Sequence, residues 1–210
     1  MTKRTLQRVI PSQATSDGAG VKLRRSIGQS TQARLDPFLV LDEFGTENPD
    51  DYIAGFPSHP HRGFETVTYM LDGHMLHEDH LGNRGDLKSG DVQWMTAGRG
   101  IIHSEMPQQE SGLMRGFQLW LNLPAKNKMA PPNFLMFWSD QLPRAQEQDS
   151  EGRAIRVEIT AGAYGNTKAL APPPYSWAAD PSNHVAAWVI DLAADAEWLL
   201  PAAASGLNRA

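Results

Sequence analysis

Along most of the chain, apolar residues either alternate with polar ones or stand in short unbroken runs that Gly, Pro, Asn or Asp ends. Few segments carry a sustained 3.6-residue apolar stripe, so the pattern predicts a mostly β domain. Strands are expected at 21–27, 38–44, 65–71, 75–80, 92–96, 100–105, 117–123, 134–138 and 155–160. The turns between them (Leu71-Asp72-Gly73, Gly82-Asn83-Arg84-Gly85, Ser89-Gly90-Asp91) suit antiparallel hairpins. Residues 142–152 are polar and rich in Gln, Glu and Asp, which predicts a surface connection. Pro172-Pro173-Pro174 fixes an extended backbone without donors and predicts a linker. That places a domain of residues 1–171 before it and a short segment, 172–210, after it. Two further strands are expected at 184–192 and 197–200, and 199–205 reads as an apolar strand that ends without a partner.

Composition narrows the function classes. A chain of 210 residues can bury a substantial core. Its 19 Lys and Arg against 24 Asp and Glu give a net charge of -5, which offers no global positive field for nucleic acid. Cysteine is absent, which removes thiolate metal sites, iron–sulfur clusters and cysteine nucleophiles, and fits a reducing compartment. Residues 1–16 carry no apolar h-region, and no 18-residue apolar run occurs. A soluble, cytoplasmic protein with no membrane partner is expected. With 18 Gly and 15 Pro, many turns and short elements are expected as well.

Six of the seven histidines lie between His59 and His103. In Ser58-His59-Pro60-His61 two imidazoles stand at i and i+2, and His103-Ser104-Glu105 repeats that spacing with a carboxylate. On a strand, such pairs point to one face about 6 to 7 Å apart and can reach one ion between them. Side by side, the two segments would bring His59, His61, His103 and Glu105 together. Three imidazoles and a carboxylate suit a divalent first-row metal with two positions left open; Fe(II) is the natural occupant, and Mn, Ni, Cu and Zn share the ligand type. A single His-x-His is common by chance as an ordinary polar pair, but two matched pairs beside Gly punctuation argue for a site. His74, His77 and His80 recur every third residue, which scatters them over both faces of a strand, so they cannot form one site. Trp94, Trp120, Trp138, Trp188 and Trp198 stand in apolar runs that a β core would use. Arg24-Arg25 reads as water-facing on an edge strand.

The spacing Gly55-x3-His59-x-His61-x3-Glu65-x7-Gly73, followed by Gly90-Asp91-x6-Gly98-x4-His103, resembles the two-part signature of cupin barrels. The wording of 59–69 (HPHRGFETVTY) and 93–107 (QWMTAGRGIIHSEMP), with 21–28, 36–44 and 77–79, resembles the pirin family. The resemblance is strong over about 20–125. It implies an all-β fold, a cupin (jelly-roll-like) β-barrel, and a mononuclear iron held by His59, His61, His103 and Glu105. It gives Glu65, where many cupins place a ligand, a supporting role, and puts Asp42, Phe56 and Arg62 at the mouth of the metal pocket.

Two functions follow from the resemblance. One is flavonol cleavage by a quercetin 2,3-dioxygenase, with O2 as co-substrate and Glu105 accepting the proton of the flavonol 3-hydroxyl. The other is a non-enzymatic, iron-dependent, redox-sensing regulator that binds protein partners. Family members carry two tandem barrels, whereas about 36 residues follow Pro174, so the second cupin-like segment is incomplete. Either the chain is a shortened member, or the tail from Tyr175 serves the first barrel, an open edge or a subunit interface. An unpaired apolar edge predicts a homodimer through open β edges.

Overall fold

The computed structural model describes residues 8–31, 34–203 and 206–207. The larger sheet has the spatial order β1 (Gln13–Asp17), β2 (Val21–Ile27), β3 (Phe38–Thr46), β10 (Met114–Asn122), β5 (Phe64–Asp72), β8 (Val92–Thr96) and β11 (Asn133–Phe137). A four-stranded sheet follows the order β4 (Phe56–His61), β9 (Ile101–Pro107), β6 (His74–Asp79) and β7 (Arg84–Lys88). The fold is thus all-β and jelly-roll-like, with the two sheets kept separate rather than closed into one barrel. Val21, Leu23, Phe44, Met70 and Met114 of the larger sheet pack on Met75 and Leu87 of the smaller one, which builds the core between them. Burying side chains of this size stabilises by about 1.5–3 kcal/mol each.

A third sheet joins β12 (Arg144–Gln148), β13 (Ala154–Ala161) and β16 (Ala187–Leu192), beside a short ribbon of β14 (Ala163–Tyr164) and β15 (Thr167–Lys168). Trp94, Val92, Leu121 and Phe137, on the outer face of the large sheet, are covered by Leu142, Ala161, Leu170, Trp177 and Ala187. All five residues of β8 are therefore buried, which explains why Trp94 and Met95 stand side by side in it instead of alternating with exposed polar residues. Strand β16 follows Pro172-Pro173-Pro174, yet it pairs with β13, which precedes them.

Three expectations need correction. Residues 142–152 are not only a surface connection, because β12 lies within them and pairs with β13 from Arg144↔Glu158 to Gln148↔Ala154. Its exposed Glu147 and Gln148 gave it the look of a loop, but backbone pairing requires no apolar residue. Residues 197–200 form no strand; Leu199 is 86% exposed and has no ladder partner, and 199–203 likewise carry no strand. Residues 204 and 205, the end of that expected strand, lie outside the described residues. Nor does Arg25 face water at an edge: β1 pairs outside β2, and Arg25 makes a bidentate ion pair with Asp42, at 2.7 Å to each oxygen. No helix among the described residues is long and apolar enough to cross a membrane.

Candidate metal centre

Strand β9 is the centre of the site because it lies between β4 and β6. Its burial alternates, so Ile101, His103 and Glu105 point inward while Ile102 and Ser104 point away. Register then does the assembling. His59 on β4 stands opposite His103, and on the other side His77 of β6 stands opposite Glu105 and Asp79 opposite His103. A bulge between Phe56 and His59 breaks the β4–β9 ladder just before the first histidine.

His59, His61 and His103 bring their ring nitrogens within 4.8 Å of one another, and His103 and Glu105 form a second such group with His77. The His59 and His61 Nε2 atoms are 3.1 Å apart. His59 Nδ1 lies 2.8 Å from the Pro57 carbonyl, which can only accept, so Nδ1 carries the proton and Nε2 offers a lone pair to the cluster. His103 is 1% exposed and its Nε2 is buried without a hydrogen-bond partner. Burial, followed by the neighbouring imidazoles, lowers His61 to about 4 and His103 to about 3. Both rings are therefore neutral at pH 7, the form a metal requires. Converging lone pairs, an orphaned buried nitrogen and an all N/O donor set fit a divalent first-row ion.

Glu105 is held from the opposite sheet. Thr68 Oγ1 and Gln93 Nε2 donate to its Oε1 at 3.3 and 3.2 Å, and Gln118 Nε2 donates to Oε2 at 3.0 Å. These residues form one row across the larger sheet, since Asp42 pairs with Gln118, Gln118 with Thr68, and Thr68 with Gln93. Two donors occupy Oε1 and one occupies Oε2, which leaves one lone pair on Oε2 for an ion or a proton. Sequence reading did not single out Thr68, Gln93 or Gln118. The available signal was Gln93, an uncharged polar residue inside the run of β8.

A cavity of about 410 Å³ opens onto the cluster, lined by His59, His61, Glu105 and Gln118 together with Phe44, Phe56, Trp120 and Asp42. Asp42 and Phe56 thus share the cavity with the metal-site candidates. Arg62 does not: it is exposed and reaches Met129 Sδ. Glu65 is also elsewhere, fully buried and accepting from Thr96 Oγ1 and Ser176 Oγ at 2.6 Å each, with burial raising its carboxyl to about 7. Trp120 is a cavity wall whose ring lies 5.3 Å from that of His61, rather than part of the packed core. The three histidines of β6 and its end part company as their spacing required: His74 pairs with Asp86, His80 accepts from Ile102 N, and only His77 faces inward.

Two antiparallel sheets with a histidine–carboxylate cluster on their inner faces define a cupin. Residues 20–121 match the family model described as Pirin, which places this part of the chain in the pirin family of that class. A Pseudomonas aeruginosa protein provisionally named a quercetin 2,3-dioxygenase is 61% identical over 154 residues, spanning 73% of this chain and 53% of that one. Human pirin is 49% identical over 152 residues, spanning 72% and 49%. The crystal structure of a quercetin 2,3-dioxygenase from Acinetobacter baumannii superposes with a TM-score of 0.68 at 34% identity, covering 78% of this chain and 58% of that one. The chain spans about half the length of the curated relatives it matches.

Proposed function

We propose that the protein is a mononuclear iron cupin that cleaves a flavonol with O2, as a quercetin 2,3-dioxygenase does. The observation that carries this reading is the aromatic cavity that opens onto the histidine–carboxylate cluster. His59, His61 and His103 would hold the ion through nitrogen, and Glu105 through Oε2. When bound, the ion supplies Lewis acidity toward a substrate hydroxyl and redox chemistry toward O2. The cavity volume falls within the range of about 300–1,000 Å³ typical of small-molecule sites.

The chain's own groups do the rest. Phe44, Phe56 and Trp120 give flat ring systems an apolar slot and exclude water from it. Glu105 takes the proton of the 3-hydroxyl on the Oε2 lone pair that it otherwise offers to the ion, while Gln118, Thr68 and Gln93 fix its plane. Asp42, anchored by Arg25, presents a carboxylate edge that can accept from a further phenolic hydroxyl. The absence of cysteine supports a reducing, cytoplasmic setting. The names carried by the Pseudomonas relative and by the Acinetobacter protein support the substrate class.

The test is oxygen uptake by anaerobically iron(II)-loaded protein given quercetin, with His61→Ala protein treated identically. Uptake that matches flavonol loss and vanishes in the variant is the expected result. Absence of uptake from protein that retains one iron overturns flavonol cleavage and favours a metal-dependent regulator that binds protein partners.

A further inference from the structure

Behind the cluster, on the side away from the cavity, His77 is 1% exposed and performs no task in the function proposed above. Its Nδ1 lies 3.1 Å from His103 Nδ1 and 3.3 Å from Gln93 Nε2. Its Nε2 has no hydrogen-bond partner within reach but faces Asp79 Oδ2 at 3.6 Å, and the Asp79 side chain is itself fully buried. The Asp79 carboxylate sets the assignment of protons. It can only accept, so the His77 proton stands on Nε2 and Nδ1 carries the single lone pair, which faces its nearest donor, His103 Nδ1, while Gln93 Nε2 donates to Glu105 Oε1. His103 then donates from Nδ1 to His77 and keeps the lone pair on Nε2. Asp79 is fixed in turn by donors from Asn83 Nδ2 at 2.8 Å, Asn83 N at 3.0 Å and Leu81 N at 2.9 Å.

We propose that His77 is a positioning residue for the metal centre: it accepts the Nδ1 proton of His103 and so holds the His103 Nε2 lone pair toward the ion. The inference rests on the metal-centre reading and extends it by one residue and one carboxylate, in the order Asp79, His77, His103. An imidazole ligand whose other nitrogen donates a hydrogen bond is fixed in tautomer and orientation and is more basic at the ligating atom. His77 is not itself a ligand, because the one lone pair of its Nδ1 faces the His103 donor and its Nε2 faces Asp79.

The fold builds a berth for this ring. Phe134 stacks on His77 with ring centroids 4.5 Å apart and planes 19° from parallel. Across the β6–β7 ladder His77 pairs with Gly85, where a Cβ would come within 2.7 Å of Phe134 and 2.8 Å of Met136 Sδ. Glycine at 85 is what lets the phenyl ring close under the imidazole. A residue of packing value alone would require neither the carboxylate nor the aligned nitrogens.

The first test needs neither metal nor substitution. Long-range 1H–15N correlation spectra of metal-free protein at pH 7.5 should show His103 protonated at Nδ1 and His77 at Nε2; His103 protonated at Nε2 overturns the proposal. The second measures Co(II) affinity by chelator competition in three proteins: unmutated, His77→Asn and His77→Leu. Asn places a carbonyl oxygen where Nδ1 was and can accept from His103, whereas Leu fills the space and accepts nothing. We expect His77→Asn within about threefold of the unmutated protein and His77→Leu weaker by about 10- to 100-fold. Equal affinity in all three, or equal loss in both variants, assigns His77 a packing role and overturns the proposal. Failure of the underlying metal-centre reading looks different: the unmutated protein would then bind no Co(II), or His59→Ala would bind it as well.

Discussion

Glu65 is a carboxyl group that the fold keeps protonated near neutrality, and its replacement by Gln should change how stability depends on pH. The side chain is fully buried, and burial raises its pKa from the usual 4.5 to about 7, against the opposing hydrogen bonds from Ser176 and Thr96. Unfolded chains lose this proton as pH passes 4.5, whereas the folded chain keeps it until about 7. Across that window the folded state binds more protons, so the contribution to stability falls as pH rises and levels off above 7. One pKa unit corresponds to about 1.36 kcal/mol, so the loss between pH 5 and pH 8 is about 2–3 kcal/mol. Glu65→Gln keeps the shape, an acceptor oxygen and donor hydrogens for the two hydroxyls, and does not titrate. The assay is urea unfolding of both proteins followed by tryptophan fluorescence at pH 5, 6, 7 and 8. The variant should gain about 2–3 kcal/mol relative to the unmutated protein between the two ends of the series. A stability difference that stays constant over pH 5–8 would refute the reasoning and mean that Glu65 is ionised in the fold throughout.

Other perturbations follow from single contacts. Gly98 has φ +52°, and a Cβ there would lie 2.1 Å from the Ala130 backbone oxygen. Gly98→Ala should therefore lose about 2–4 kcal/mol, read as a drop in melting temperature. Arg25→Met leaves the 5%-exposed Asp42 without its bidentate partner; a loss of about 2–3 kcal/mol in urea unfolding is expected, and Arg25→Met with Asp42→Asn should recover part of it. Trp120 borders the cavity beside His61, so its fluorescence should be quenched on adding Fe(II) anaerobically, and this response should be absent in His61→Ala protein.

Much of this was legible in the sequence, for reasons that differ by element. Strands with one solvated face, such as β2 and β9, announce themselves by alternation, and the ligand candidates on β4 and β9 are found because i and i+2 share a face. Strand β12 was illegible because its partner supplies the apolar side: Ile155 and Val157 of β13 are buried while Glu147 and Gln148 remain exposed. The cradle around Glu105 was illegible for a different reason. Thr68, Gln93 and Gln118 lie on three strands far apart in sequence, and only the register of β8, β5 and β10 places them in one row. His77 was hidden by its company, because its two neighbours at three-residue spacing face elsewhere and dilute the signal.

The central claim is that His59, His61, His103 and Glu105 hold one metal ion. Its most direct test is anaerobic equilibrium dialysis against Fe(II), with bound metal counted by elemental analysis, for the unmutated protein and for His59→Ala with His61→Ala. We predict one iron per chain in the first and less than a tenth of that in the second, with both proteins folded by circular dichroism. Equal iron in the two proteins, or none in either, would contradict it.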